Sequence, residues 1–220
     1  NLIKRLETNK EVIVYGFSSK ECALNASSAK FVHKDIIDSD AVKDILADAI
    51  VINCAFPRNS SGIEMADGLS YINRLFLVCK KYKAKAIINI SSQSVYSQKR
   101  YFMADENTEI CLETPYAVGK YATELMLQSI CDGSELIYTN LRMASLIGPG
   151  FDQRIVNRLV KKAIEMEPIT ISVSEQRFGF LDVLDAVDAI ISLIFTESYK
   201  WQHVYNIGNE KAFSLVDIIK

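Results

Sequence analysis

Short apolar runs alternate with amphipathic ones along this chain, and each kind predicts an element. "EVIVYGF" at 11–17 and "AIVINCAF" at 49–56 are apolar and rich in β-branched residues. Runs of this length and composition suit strands buried on both faces. "AKFVHKD" at 29–35, "AKAIINISS" at 84–92 and "ELIYTNLRMA" at 135–144 also read as strands. Helical patterns lie between them. "NLIKRLETNK" opens the chain with Leu2, Ile3 and Leu6 apolar and Lys4, Arg5 and Glu7 polar. "DSDAVKDILAD" at 38–48 starts with Asp and Ser, both good caps. "YINRLFLVCKKY" is the clearest part of a helix ending at Tyr82. "TPYAVGKYATELMLQSIC" at 114–131 sets Thr114 at the N-cap and Pro115 at the first helical position. The alternation predicts an α/β fold with a doubly wound parallel sheet. No strand precedes the opening helix, so a first strand is expected to lie outside these residues.

Composition narrows the class. A chain of 220 residues suits one domain, or one domain with a small lobe, and 49% hydrophobic residues supply a sizeable core. The net charge is −2 and no polybasic block occurs, which argues against nucleic acid and membrane surfaces as partners. Cys22, Cys54, Cys79, Cys111 and Cys131 are odd in number and scattered, with no metal-ligand spacing. That usage suggests a reducing, cytoplasmic setting and no metal. Cys111, in the loop before Tyr116, could be an exposed thiol or a packed one, and packing is the expectation. No apolar run reaches the ~18 residues of a membrane span.

In sheets of this kind ligands bind beyond the carboxyl ends of the strands. "GFSSK", "NCAFPR", "SSQSVYS" and "MASLIGPG" fall at those ends and collect small and polar residues. Just behind one of them, "ETPYAVGKYATE" sets Tyr116 and Lys120 four residues apart, on one helical face. An ammonium near a phenol favours the phenolate, and a phenolate can take a proton from a hydroxyl. The bland alternative is a packed tyrosine and a solvated lysine. Ser92, closing the preceding strand, offers a hydroxyl for the same substrate oxygen.

These stretches resemble, in order, the extended short-chain dehydrogenase/reductase family in its NAD(P)-dependent sugar-nucleotide epimerase/dehydratase branch. "VINCAF" is similar to the family's "VIHLAA", "NISSQSVYS" to "ISSxxVYG", and "TPYAVGK" to "SPYxxSK". "NLRMASLIGPG" is similar to "LRxxNVYGPG", "FLDVLDAVDAI" to "FVHVDDVAxAI", and "YNIGNEKAFSLVDI" to "YNIGxGxxxSxxEL". The resemblance implies a Rossmann-like domain at 1–150. It implies a small substrate lobe at 151–220, from which 177–195 returns to the main domain. The family's glycine-rich loop, which holds the pyrophosphate, is not among these residues.

The same resemblance implies roles. Tyr116 would be the acid/base, Lys120 the cation that favours its phenolate and contacts the ribose, and Ser92 the partner of the substrate oxygen. Asp35 and Ile36 would lie beside the adenine. Cys54, Ala55 and Phe56 would line the cofactor, with Arg58 near its phosphates. Met143 and Ala144 would lie near the nicotinamide. Ser94, Ser145 and Arg177 would face the substrate, Arg177 within one residue of a family arginine that holds nucleotide phosphate. Gly16 stands where many NAD-preferring relatives carry Asp, and Ser18, Ser19 and Lys20 follow. A 2′-phosphate would meet no carboxylate there, so NADP is favoured over NAD. The dehydratases carry an acid pair after the strand-end hydroxyl; here Gln93 and Ser94 follow Ser92, and neither is an acid.

The expected function is an oxidoreductase or isomerase acting on a nucleotide-activated sugar, a 4-epimerase or 4-ketoreductase, and a homodimer through two helices per subunit. The rival is a catalytically silent dinucleotide-binding regulatory or scaffold protein. A smaller carbonyl substrate is also open, because the lobe is short.

Overall fold

The computed structural model describes residues 1–19, 29–57, 62–151, 155–170 and 177–219. Helix α1 (Leu2–Leu6) opens the chain, followed by strands β1 (Tyr15–Ser18) and β2 (Lys30–His33). Helix α2 (Lys43–Leu46), β3 (Ile50–Asn53), α3 (Gly62–Lys81), β4 (Ala86–Ser92), α4 (Pro115–Cys131) and β5 (Ile137–Met143) come next. Then come β6 (Ser145–Ile147), α5 (Ile155–Ile164), β7 (Arg177–Asp182), α6 (Val183–Ile194), β8 (Val204–Ile207), β9 (Ala212–Ser214) and α7 (Leu215–Ile219).

All the pairings in β1-β2 and in the central order β3-β4-β5-β8 are parallel. A third group, β6-β7-β9, pairs β6 with β7 parallel and β7 with β9 antiparallel. Parallel strands need helical crossovers, and those helices cover both faces of the sheet. β4 shows this directly. Ile87 joins a core with Ile72, Phe76 and Leu127 from α3 and α4. Its neighbours Ala86 and Ile88 join a second core with Ala186, Ile190 and Trp201 on the opposite face. The two-residue period of a strand produces this split. The expected doubly wound α/β fold is therefore the observed one.

Some elements are shorter than the hydrophobic pattern predicts, and local hydrogen bonds account for it. The run at 11–17 pairs only from Tyr15, because Glu11 N donates to Asn9 Oδ1 and Val12 N to Asn9 O in a preceding turn. The helix expected at 38–48 shrinks to α2 behind two 3-10 turns, Lys34–Asp38 and Asp40–Val42. There Ser39 Oγ donates to Ile36 O, a local bond that competes with the helix ladder. β3 stops at Asn53, whose Oδ1 accepts from Ala55 N and bends the chain toward the cleft.

An asparagine ladder crosses the sheet. Asn53 lies in register with Asn89, and Asn89 with Asn140. Asn53 Nδ2 donates to Asn89 Oδ1 at 2.9 Å, and Asn89 Nδ2 donates to Asn140 Oδ1 at 2.9 Å and to Thr123 Oγ1 of α4 at 3.1 Å. All four residues are buried. Buried amides are tolerable only when paired. Asn89→Ala strips partners from three groups at once, and an orphaned buried polar atom costs ~1–3 kcal/mol. We expect a loss of about 2–4 kcal/mol, read as a lower urea midpoint at unchanged slope.

Candidate active site

β4 ends on Ser92, whose Oγ accepts from Ser94 N at 3.1 Å. That bond starts the 3-10 turn Gln93–Val95 at the carboxyl edge of the sheet. Ser92 is in register with Met143, the last residue of β5. Ala144 N donates to Ile207 O at 2.8 Å, so β5 passes into β6 alongside the end of β8. Met143 and Ala144 are buried, and Ser145 is half-buried.

α4 begins as its sequence dictates. Thr114 Oγ1 accepts from Ala117 N at 3.1 Å and Pro115 takes the first turn. Tyr116 and Lys120 follow one turn apart. Lys120 is buried, and its Nζ donates to Ile90 O of β4 at 2.7 Å. It also stands 4.2 Å from the Phe56 ring centroid and 6.0 Å from that of Tyr116. The rings of Phe56 and Tyr116 meet edge to face at 5.2 Å. Both contacts belong to the favourable geometries of aromatic rings. Gly119 makes the approach possible, since a Cβ there would lie 2.9 Å from Phe56 Cζ and 2.9 Å from Met65 Sδ. Among the described residues, the Tyr116 hydroxyl has no hydrogen-bond partner.

The structure thus brings Phe56, Tyr116 and Lys120 together and ties the Lys120 ammonium of α4 to the strand that ends in Ser92. Cys54 and Ala55 are exposed beyond β3. Desolvation pushes the Cys54 thiol up, against the lowering pull of the Lys120 charge. Asp35 and Ile36 lie in the exposed turn after β2. The bond from Lys34 holds the Asp35 carboxyl below its ordinary value. Ser18 closes β1 and Ser19 is exposed beside it. Arg177 is exposed at the start of β7. Lys20 and Arg58 lie outside the described residues. Ser94 Oγ is enclosed without a hydrogen-bond partner. Cys111, expected to pack, is instead exposed: only its backbone is tied down, through a bond from its N to Val95 O.

Directly beneath the site lies a charged network that the sequence reading missed. Glu124, one further turn along α4 from Lys120, faces Arg142 of β5. Arg142 Nη2 donates to Glu124 Oε2 at 2.7 Å and Arg142 Nε to Oε1 at 3.1 Å. Ser91 Oγ donates to Glu124 Oε1. Arg142 Nη1 donates to Tyr96 Oη at 2.7 Å, and Tyr96 Oη donates to Asn206 Oδ1 at 3.0 Å. Burial works against the Arg142 charge, but the bond and charge of Glu124 outweigh it and hold the guanidinium above its ordinary value. The missed signal was spacing: Glu124 repeats the four-residue step from Tyr116 to Lys120.

Residues 1–208 match the model of the NAD dependent epimerase/dehydratase family, and the chain belongs to that family. It is 27% identical over 239 residues to the putative UDP-glucose 4-epimerase of Methanocaldococcus jannaschii, covering 99% of this chain and 76% of that one. It is 22% identical to the dTDP-D-glucose 4,6-dehydratase of Dictyostelium discoideum, of which it spans 50%. Among solved structures, it is similar to the Bacillus cereus UDP-glucuronic acid 4-epimerase in complex with UDP-glucuronic acid and NAD. That match has a TM-score of 0.82 at 24% identity, over 98% of this chain and 76% of the other. The UDP-N-acetylglucosamine 4-epimerase of Methanobrevibacter ruminantium, in complex with UDP-N-acetylmuramic acid, matches at 0.82 and 22% identity, over 99% and 75%. At these identities the structural likeness shows the fold.

The Glu124–Arg142 pair has side chains only 5% and 6% exposed. Removing one member strands a buried charge, which costs ~3–5 kcal/mol. Glu124→Gln is expected to lose that much in urea denaturation. A double variant, Glu124→Leu with Arg142→Met, is expected to recover most of it, because no charge is then left unpaired.

Proposed function

We propose that this chain is the catalytic part of an NAD(P)-dependent enzyme that oxidises the C4 hydroxyl of a nucleotide-activated sugar. It would act as a 4-epimerase, returning the hydride to the opposite face of the sugar, or, run in the reducing direction on a 4-keto sugar with hydride from NAD(P)H, as a 4-ketoreductase. The observation that carries the reading is the pinning of Lys120 to Ile90 O, beside Tyr116 and on the strand that ends in Ser92. A lysine fixed by a backbone carbonyl is a stationary charge, and a stationary charge needs no reorganisation when negative charge develops beside it. Tyr116 takes the proton of the sugar hydroxyl and returns it later, while Ser92 Oγ bonds the same oxygen.

The residues fit a nicotinamide dinucleotide. Small, exposed Cys54 and Ala55 border the cleft, and Tyr116 offers an unpaired hydroxyl beside the Lys120 ammonium. Bound there, the nicotinamide would accept the hydride from C4 and give it back. Lys120 would bond its ribose, and Met143 and Ala144 would flank its ring. Ser18, Ser19 and Lys20, after a Gly16 that lacks a carboxylate, favour NADP; the NAD in the solved relatives favours the other choice. Arg177 would hold the nucleotide phosphate and Ser145 would face the sugar. The division at 150, with a substrate lobe beyond it, and a cytoplasmic setting belong to the same proposal.

Likeness to a 4-epimerase and to 4,6-dehydratases leaves the reaction type open. Elimination of a hydroxyl needs an acid beside the leaving group, and Gln93 and Ser94 provide none. That favours epimerisation. No helix among the described residues is long and apolar enough to cross a membrane.

Two outcomes are expected. Tyr116→Phe removes one hydroxyl, and loss of a general acid/base lowers kcat ~10²–10⁴-fold. Conversion of UDP-hexoses by the full-length protein, followed by NMR, checks this. Lys120→Met should lower kcat and weaken dinucleotide binding together. A wild-type protein that binds dinucleotide and converts none of the sugars would favour the silent scaffold.

A third expected outcome concerns assembly. α3 and α4 leave Ile63, Leu77, Val118 and Leu125 exposed. An open groove of about 490 Å³ runs between them, lined by Met65, Leu69, Pro115, Val118 and Ala122 and not by Tyr116 or Lys120. A helix packed on a sheet needs one apolar stripe, and α4 has a second facing outward. A symmetric dimer would cover it. Light scattering at micromolar concentration is expected to give the mass of two chains. Val118→Glu with Leu125→Glu should reduce it to one.

A further inference from the structure

Gln93 follows Ser92 directly and opens the turn at the carboxyl edge of β4. Its side chain lies in a cradle of small residues from three other elements. A methyl group built on Gly208, just after β8, would stand 2.9 Å from Gln93 Nε2 and 3.0 Å from Ala144 Cβ. One built on Gly179 of β7 would stand 3.7 Å from Gln93 Oε1 and 3.9 Å from Ala144 Cβ. Neither glycine has a positive φ, so the backbone does not demand glycine at either place. At Gly208 the demand is spatial: a side chain there would displace the amide.

The amide so cradled does nothing for the fold. Among the described residues it makes no hydrogen bond, although a carboxamide can donate two and accept two. Gln93 is half-buried. Its neighbours in the chain are Ser92, assigned to the reacting oxygen, and Ser94, whose enclosed Oγ has no partner. Gly179 lies two residues beyond Arg177 on β7, which puts both on one face of that strand. A phosphate on Arg177 and a sugar on Gln93 would then follow the same strand.

We propose that Gln93 is the specificity-determining residue of the sugar site and that its amide reads a neutral hydroxyl group of the sugar. This rests on the proposed function of the site. A hydroxyl both donates and accepts, and so matches both ends of the amide. A carboxylate accepts only: it would satisfy the NH₂ and meet the amide oxygen unfavourably, and Gln93 has no hydrogen-bonded cation among the described residues to neutralise it. A carboxamide also has no proton to give to a leaving hydroxyl, so its role is recognition. Sites that hydrogen-bond a substrate group discriminate strongly against analogues that lack it.

The test compares UDP-glucose with UDP-glucuronic acid on the full-length protein, by steady-state kinetics and by calorimetric binding in a Tyr116→Phe background. The wild type is expected to prefer UDP-glucose. Gln93→Ala should raise KM and Kd for UDP-glucose about tenfold, the effect of losing one or two neutral hydrogen bonds, with kcat nearly unchanged. The loss for UDP-glucuronic acid should be smaller, so the preference narrows. Gly208→Ala, which crowds the amide without altering it, should weaken UDP-glucose in the same way, and should add little in the Gln93→Ala background. An unchanged KM for UDP-glucose in Gln93→Ala, or equal losses for both sugars, would overturn the role of Gln93 and leave the site standing. A wild type that neither binds nor converts any UDP-hexose would overturn the site reading, and this proposal with it.

Discussion

One buried ion pair ties the pieces of the candidate site to one another. Glu124 belongs to the helix that carries Tyr116 and Lys120, Arg142 precedes Met143, and Ser91 precedes Ser92. The carboxylate of Glu124 binds both Arg142 and Ser91. A charge pair in a dry interior contributes little net stability against an apolar replacement, because desolvation offsets most of the attraction. What it supplies is uniqueness of arrangement, since any slide of α4 along the sheet would break several charge-assisted bonds at once. Arg142 extends the constraint to Tyr96, and Tyr96 to Asn206 on β8. The turn that bears Gln93 and Ser94 is therefore fixed at both ends: by Ser92 at its start and by Tyr96 at its close.

The position of Lys120 depends on that arrangement. Its Nζ reaches Ile90 O only if α4 lies at the right height over β4. The same helix contributes Thr123 to the asparagine ladder and Leu127 to the core below. Reading along α4 from its start, one face passes from the half-buried Tyr116 hydroxyl to a fixed cation, then to a buried anion and then to apolar packing. Exposure falls with distance from the carboxyl edge of the sheet. Tyr116 keeps part of its surface open while Lys120, Glu124 and Arg142, which fix the helix on the sheet, are buried.

Much of this was legible in the sequence, and the parts that were not share a cause. The order of strands and helices followed from periodicity, and Thr114-Pro115 fixed the start of α4 to the residue. Tyr116, Lys120 and Ser92 stood out because their spacing carries a known chemistry. Asn53, Asn89 and Asn140 did not: each sits alone in its own apolar run, and only the strand register makes them a ladder. Gln93 showed what it lacks, an acid, but not what surrounds it. Its cradle comes from Gly179 and Gly208, far along the chain, and a glycine with ordinary φ has no sequence mark. The shortened β1 and α2 were lost to Asn9 and Ser39, whose side chains and turns compete locally with regular structure. Cys111 was misread because a cysteine's burial depends on neighbours its own segment does not contain.

Gly119 shows how closely the reactive and outward faces of α4 are coupled. It lies between Val118, which faces solvent, and Lys120, which is buried. Having no side chain, it admits Phe56 to the Lys120 ammonium and Met65 to the helix. Met65 also lines the outward groove. Close packing transmits displacement, because an interior without voids cannot absorb it. Met65 and Gly119 therefore join the lining of the groove to Phe56, the ring in contact with both Tyr116 and Lys120. Whatever covers that groove packs against the same turn of α4 that carries Tyr116 and Lys120, so the outward and inward faces of this helix are constrained together.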